Sequence, residues 1–389
     1  MATSKPKTIP LSRPTISAED LRGIGRILRS GWLTMGPETA RFEEEFRKET
    51  RSRHAVAVST GTAALHLALL ALGVGPGDEV ITSPFTFAAT ANAIELTGAR
   101  AVFADIDPAT WNLSPAQAAR KIGRRTRGIL PVHFAGLPCQ MGRFRALCRK
   151  RRLFLLDDAA HALGAASGGR PVGSLADATC FSFHPMKNIT TGEGGMVTCS
   201  SPEIEKKVRL LRFHGLSVDT WKRHQQTALQ HPEVILPGYK YGLPDLLSTL
   251  GRTQLARLKE FNSRRRNLAK LYHRYLNGVE ELTLPNAGGK GTLHAWHLYV
   301  ALLSRPPRGL NRDGLVQALR GRGIQSGVHY TALHLHSYYR KKYGYRRGDL
   351  PAAEQVGSSC FSLPLYPQMK PSEVRKVCDA LKGILNHGR

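Results

Sequence analysis

Acidic residues are scarce in this chain. Only 29 Asp and Glu face 56 Lys and Arg over 389 residues, a formal charge of +27. Such an excess raises nucleic-acid binding as one reading, but the accompanying marks are missing. The basic clusters Arg143–Arg152, Arg264–Arg266 and Arg340–Arg347 lie far apart, and no DNA-binding motif joins them. Only the last is near interleaved aromatics, at Tyr338–Tyr345. The expectation is a basic enzyme with solvated charged faces, no nucleic-acid partner, and a positive field that steers an anionic substrate. Cysteines are few: Cys139, Cys148, Cys180, Cys199, Cys360 and Cys378, without C-x-x-C spacing. That argues against a disulfide framework and a zinc site, and predicts reduced thiols in a cytoplasmic protein. No apolar stretch approaches about 18 residues, so no membrane span is expected. The opening Met1–Lys7 lacks the apolar core of a signal peptide.

What the chain does have is a repeating pattern. It is 41% hydrophobic with little low-complexity sequence, long enough for a large core and two domains. After a proline-bearing arm, helical patterns run over Glu19–Arg29 and Glu38–Arg51. Strands are predicted at Ala55–Val58, Glu79–Thr82, Ala101–Ala104, Gly128–Val132, Leu153–Leu156, Ala178–Phe183 and Met196–Cys199. Helices fall between them, among them Ala63–Leu72 and Thr86–Leu96. Strands alternating with helices predict an α/β fold, a mostly parallel central sheet covered on both faces. Residues 215–245 form a long polar connection, of the kind that serves a site, a subunit contact or a lid. A long helix is predicted from Pro244 through Arg257 toward Leu276. A strand at Trp296–Leu302 and helices at Arg312–Arg320 and Pro371–Asn386 follow. The division predicted is a large domain over 1–245 and a smaller C-terminal α+β domain over 246–389.

Four motifs fall where predicted strands end, which is where open α/β sheets bind ligands. In Ser59-Thr60-Gly61-Thr62-Ala63-Ala64, Gly61 lets backbone approach an anion closely, and the helix start offers free N–H groups to a phosphate. The same residues also read as a plain helix cap. In Thr82–Phe87, Phe87 is either a core aromatic or a platform for a flat ring. In Leu155–His161, two acids, Asp157 and Asp158, end an apolar strand and are costly to bury unpartnered. A carboxylate against a pyridine nitrogen keeps that nitrogen protonated and the ring an electron sink. His161 also reads as a structural histidine. In Phe181–Asn188, Lys187 lies between apolar strands and is followed by Gly192-Glu193-Gly194-Gly195. Desolvation would lower its pKa and make it nucleophilic toward an aldehyde. Ser182 shares that strand end and offers a hydroxyl to a phosphate. The constellation reads as a pyridoxal phosphate enzyme.

From Ile9–Pro14 to Leu363–Pro367 the chain resembles the DegT–StrS family of sugar aminotransferases, through Ser30–Pro37, Ser59–Ala64, Asp158–His161, Ser182–Lys187 and Gly192–Gly195. The resemblance implies the fold-type I architecture of pyridoxal phosphate (PLP) enzymes and a role for each matching residue. Lys187 forms the imine with the cofactor and then shuttles protons. Asp158 pairs with the pyridine nitrogen and Phe87 stacks on the ring. Gly61, Thr62, Ala63 and Ser182 hold the phosphate, and His161 lies beside the cofactor. His329 is on the substrate side, and no metal is expected at His329, His334 and His336. Lys240, in Gly238-Tyr239-Lys240-Tyr241, reaches the partner's phosphate across a homodimer with shared active sites. The implied reaction is transamination of a nucleotide-linked keto sugar, UDP- or dTDP-linked, with L-glutamate as donor. Its products are an amino sugar, for polysaccharide or lipopolysaccharide synthesis, and 2-oxoglutarate, the cofactor cycling between PLP and PMP. The Thr292–Tyr299 segment and the His329 region resemble branches that aminate C4 of UDP sugars. Rival readings are a PMP-dependent sugar dehydratase, a branch with histidine in place of Lys187, another fold-type I enzyme acting on amino acids, and a non-catalytic regulatory or nucleic-acid-binding protein.

Overall fold

The computed structural model describes residues 8–217 and 231–386. The elements run α1 (Ala18–Ser30), α2 (Pro37–Thr50), β1 (His54–Val58), α3 (Gly61–Ala71), β2 (Glu79–Thr82), α4 (Ala88–Leu96), β3 (Arg100–Phe103), α5 (Pro115–Arg120), β4 (Thr126–Leu130), α6 (Met141–Arg151) and β5 (Phe154–Asp158). The short β6 (Ala166–Ser167) and β7 (Arg170–Pro171) precede β8 (Ala178–Ser182), β9 (Gly195–Cys199) and α7 (Pro202–Leu211). Then come α8 (Asp245–Ala256), α9 (Leu258–Leu276), β10 (Leu282–Thr283), β11 (Thr292–Leu293), β12 (Tyr299–Leu303), α10 (Arg312–Gly321), α11 (Ser337–Tyr343), α12 (Pro351–Ser359), β13 (Cys360–Leu363) and α13 (Pro371–Asn386).

Seven strands form one sheet in the order β1-β9-β8-β5-β4-β2-β3. The neighbours from β8 to β3 are parallel, and β9 runs antiparallel to both β1 and β8. The mainly parallel sheet matches the expected class. Strand alternation feeds both faces: Val56 and Val58 join one apolar cluster with Leu65 and Leu67 of α3. Ala55 and Ala57 join the other, with Phe42 and Phe46 of α2. A third cluster gathers Tyr272, Tyr299, Phe361 and Leu381 around the antiparallel sheet β10-β12-β13.

Two expectations change. The long helix predicted from Pro244 toward Leu276 is two helices that break at Arg257, whose backbone leaves the helical region (φ −100°, ψ 3°). No glycine or proline marks the break; Arg257 there reaches back to Asp20 of α1 at 2.6 Å. The strand expected from Trp296 begins at Tyr299, because Trp296 adopts a left-handed conformation (φ 49°) and stacks on His294, ring centroids 3.9 Å apart. Residues 218–230 of the long polar connection lie outside the described residues.

The scarce acids serve as multi-donor anchors. α2 has no side-chain cap of its own, because Gly36 occupies the cap position. Asp245, at the start of α8, caps it from across the fold. Its carboxylate accepts from the N–H groups of Gly36 (2.8 Å), Glu38 (3.1 Å) and Thr39 (2.9 Å), and from Thr39 Oγ1 (2.7 Å). Glu43 is buried between Arg212 and Arg209 and accepts the Ala57 N–H. Burial alone would push its carboxyl up, but the two arginines and the N–H bond hold it below the usual range. Glu95, in α4, accepts from Tyr338, Lys342 and Tyr343 of α11 and from the Ala101 N–H.

Replacing Asp245 by Ala strands three helix-end N–H groups in a buried site. It should lower stability by about 3 kcal/mol, read as a lower urea midpoint at unchanged slope. A midpoint within error of wild type would refute the capping role.

Candidate active site

β1, β8 and β5 end at the same edge of the sheet, with the start of β9 between β1 and β8, and the loops there enclose a cavity of about 370 Å³. Its lining includes Gly61, Thr62, Phe87, Asp158, His161, Ser182, Lys187 and His329. The four motifs thus converge as predicted, and His329 joins them from the C-terminal part of the chain. Ala63 and Lys240 are outside that lining.

Lys187 lies in the loop of the β8–β9 hairpin. Its N–H donates to His184 O at 2.8 Å, closing a turn. The next residue, Asn188, is buried and donates to Asn262 Oδ1 (2.7 Å) and Ala295 O (3.0 Å), which ties the loop to α9. The lysine is half-buried. Burial lowers its pKa to about 8, against the opposing pull of the Asp158 carboxylate. A substantial fraction of the amine is therefore neutral and nucleophilic near pH 8.

Asp157 and Asp158 alternate on β5. Asp157 turns away from the cavity toward His133, whose Nε2 is 3.4 Å off, and burial pushes its carboxyl up. Asp158 faces the cavity. Its Oδ2 accepts from Thr90 Oγ1 (2.7 Å), which is itself within 2.9 Å of Thr86 Oγ1, and its Oδ1 accepts the Ala160 N–H (3.0 Å). These bonds fix the orientation of the carboxylate in the cavity. Phe87 precedes α4 and is 60% exposed, so its face is available to a ligand.

The start of α3 forms an anion cradle. Thr60 caps the helix by accepting the Ala63 N–H at 3.0 Å. That bond occupies the Ala63 donor and leaves the Gly61 and Thr62 N–H groups without an acceptor in the helix. Glycine is required at two positions here. A Cβ on Gly61 would lie 2.7 Å from Ser182 Cβ, and one on Gly195 would lie 2.4 Å from Thr60 O. The hydroxyl of Ser182 and the helix N-terminus therefore share one small concavity.

On the facing wall, His161 Nδ1 accepts the Ala135 N–H (3.3 Å), and Nε2 is 3.2 Å from Tyr330 Oη. Its ring packs against His297 at 4.3 Å. Burial first, then Lys187, keeps His161 well below the usual histidine range. His329 Nδ1 is 2.8 Å from Ser362 Oγ, and burial with Lys187 lowers its pKa to about 4. The three candidate histidines do not converge: His334 meets Glu354 (3.0 Å) and His336 meets Thr331 (2.9 Å). Lys240 sits over the Phe213 ring at 4.4 Å. Tyr239 and Tyr241 flank it, stacked 5.0 Å apart, with Tyr239 also against His66 of α3.

The sequence reading gave no role to Thr90, His184, Glu193, His297 or Tyr330, all of which line the cavity. Thr90 bonds a residue 68 positions away, and no local pattern reveals that. Tyr330 directly follows His329, and His297 lies in the segment resembling C4-aminating branches. The donors fit pyridoxal phosphate: a neutralisable lysine, a fixed carboxylate for a ring N–H, an aromatic face, and a cradle too small for a Cβ but lined by N–H and hydroxyl donors.

Comparison with known proteins agrees. SpsC of Bacillus subtilis, a spore coat polysaccharide biosynthesis protein, is 42% identical over 378 residues, 97% of either chain. The PMP form of Spr1654 of Streptococcus pneumoniae, described as a putative sugar aminotransferase, superposes with a TM-score of 0.91 at 30% identity, covering 98% of this chain and 100% of that one. DesI, solved with its TDP-sugar product, gives 0.88 at 29% identity, covering 100% of this chain and 95% of that one. The model of one family matches residues 14–382, and the chain belongs to it: the DegT/DnrJ/EryC1/StrS aminotransferase family.

Proposed function

We propose that this aminotransferase, whose cofactor is pyridoxal phosphate, transfers the amino group of L-glutamate to a nucleotide-linked keto sugar, giving an amino sugar and 2-oxoglutarate. The observation that carries the reading is Lys187, its amine held near neutrality, lining one cavity with Asp158 and a phosphate-sized cradle. When bound, the cofactor supplies an electron sink for the bonds at the reacting carbon. Gly61 and Thr62 N–H groups and the Ser182 hydroxyl hold its phosphate, beside Ala63. Asp158, fixed by Thr90 and the Ala160 N–H, accepts from the ring nitrogen. Phe87 covers one ring face. His161 stays neutral and, with Tyr330, bounds the cavity beside the cofactor. Lys187 anchors the cofactor covalently. Its amine, when free, would remove and return the proton at the substrate carbon. His329, fixed by Ser362, contacts the sugar.

The sugar is nucleotide-linked on the analogy of DesI and its TDP-sugar product. The product enters polysaccharide or lipopolysaccharide synthesis on the analogy of SpsC. A 4-keto sugar on a UDP or dTDP carrier is the substrate we favour, in the cytoplasm. We also propose that residues 1–245 and 246–389 act as a cofactor-binding and a substrate-side unit. The enzyme works as a homodimer in which Lys240 reaches the partner's phosphate site. In support, alternation along Tyr239-Lys240-Tyr241 sets both tyrosines against His66 of α3 and leaves Lys240 off that helix, over Phe213.

Incubating the holoenzyme with glutamate and a panel of UDP- and dTDP-keto sugars should yield one product with the mass of the amino sugar. Lys187→Ala should cut that turnover by about a thousandfold or more; turnover with amino acid pairs alone would overturn the substrate class.

Covalent capture of pyridoxal phosphate by apoenzyme, followed by absorbance, should rise with pH through about 8 and level off above it. Because Asp158 raises the lysine pKa, Asp158→Asn should move the midpoint to lower pH. A midpoint near that of free lysine in both proteins would contradict the desolvated site.

Mixing unfolded Lys187→Ala and Lys240→Ala chains and refolding them together should restore activity that neither has alone, since one site per mixed dimer is then intact. No restoration in a demonstrated mixed dimer would place Lys240 in its own subunit's chemistry.

A further inference from the structure

We propose that the opposite end of the sheet carries a second site, for a compact polyphosphate anion. Beneath the starts of β1, β5 and β8 lies a cavity of about 480 Å³. Six arginines line it: Arg51, Arg53, Arg145, Arg149, Arg152 and Arg170. Its one carboxylate, Asp177, is engaged by the Leu155 N–H at 2.8 Å. Among the described residues none of the six arginines has a carboxylate within 4.0 Å. Some arginines elsewhere are closely paired, as at Arg209, Arg212, Arg252 and Arg257, and other unpaired ones are not gathered round a single cavity that holds six. The basic run Arg143–Arg152, which the aminotransferase reading leaves without a task, supplies half of the cluster.

Helix ends explain part of this arrangement. Arg51 and Arg152 occupy left-handed positions (φ 51° and 55°) that end α2 and α6, and Arg149 lies in the last turn of α6. Cations there complement the helix dipole, although glycine is the usual residue in that conformation. The dipole does not account for Arg53 before β1, Arg145 in mid-helix or Arg170 on β7. Nor does it explain why all six converge on one concavity. Unpaired like charges repel, and an anion bridging them removes that repulsion. Guanidinium forks match consecutive phosphates in geometry as well as charge. The site is separate from the cofactor cavity. β1, β5 and β8 each pass between the two with five residues, roughly 15 Å at the rise of a strand.

The test is calorimetric titration of the full-length, cofactor-loaded enzyme with sodium tripolyphosphate, at low and at raised salt. One equivalent should bind, more weakly as salt screens the cluster. Arg145→Ala with Arg149→Ala, and separately Arg53→Gln with Arg170→Gln, should each weaken binding at least about tenfold. Melting temperature and transaminase turnover in the absence of the anion should stay at wild-type values. A parallel titration with ATP separates the sources. Equal affinity assigns the site to the phosphate chain itself, and tighter binding assigns it to a nucleotide. Absence of heat with both anions, or wild-type affinity in either double variant, would overturn the proposal. So would a single-stranded DNA of about 20 nucleotides that binds the cluster and is not displaced by tripolyphosphate.

Discussion

The site depends on one backbone contact. The start of α3 and the β8–β9 hairpin approach so closely that neither Gly61 nor Gly195 has room for a Cβ. That contact puts the hydroxyl of Ser182 beside the free N–H groups of α3, and it sets the hairpin loop bearing Lys187 over the same cavity as Asp158. The antiparallel strand β9 makes it possible. A parallel return would carry the chain away through a crossover helix, whereas the hairpin turns the chain back at the carboxyl ends of the strands, where the ligand cavity forms.

A second constraint is charge. With few carboxylates available, Asp20, Glu43 and Asp245 each gather several donors, and most of those donors come from distant parts of the chain. Asp20 accepts from Ser17, Thr253, Gln254 and Arg257, joining α1 to α8. Asp245 fastens α2, and Glu43 joins α2 to α7 through Arg209 and Arg212. These bonds tie α1, α2, α7 and α8 to one another, while most of the remaining basic side chains stay solvated. The arginine cluster at the opposite end differs in being concentrated around one cavity with no carboxylate partner among the described residues.

Much of the architecture was legible because strands and helices announce themselves by period. Glu79–Thr82 was read to the residue, and the central strands to within two residues at either end. The site motifs were legible because each ends a strand. The contacts between them were not. Thr90 on Asp158 and Tyr330 on His161 join segments far apart in sequence. The break at Arg257 has no glycine or proline to signal it, only a guanidinium drawn to Asp20. Trp296 looks like strand by composition but turns left-handed to stack on His294.

The ties at Glu95 bear on how such enzymes are recombined. One carboxylate in α4 holds Tyr338, Lys342 and Tyr343 of α11, and the same short helix follows directly on Phe87 and carries Thr90. The α11 segment and Phe87, which lines the cavity, are therefore linked through one helix. A chimaera that grafts a relative's C-terminal region to change sugar preference must match α4 to it, because an α11 without Tyr338, Lys342 and Tyr343 would leave Glu95 only the Ala101 N–H.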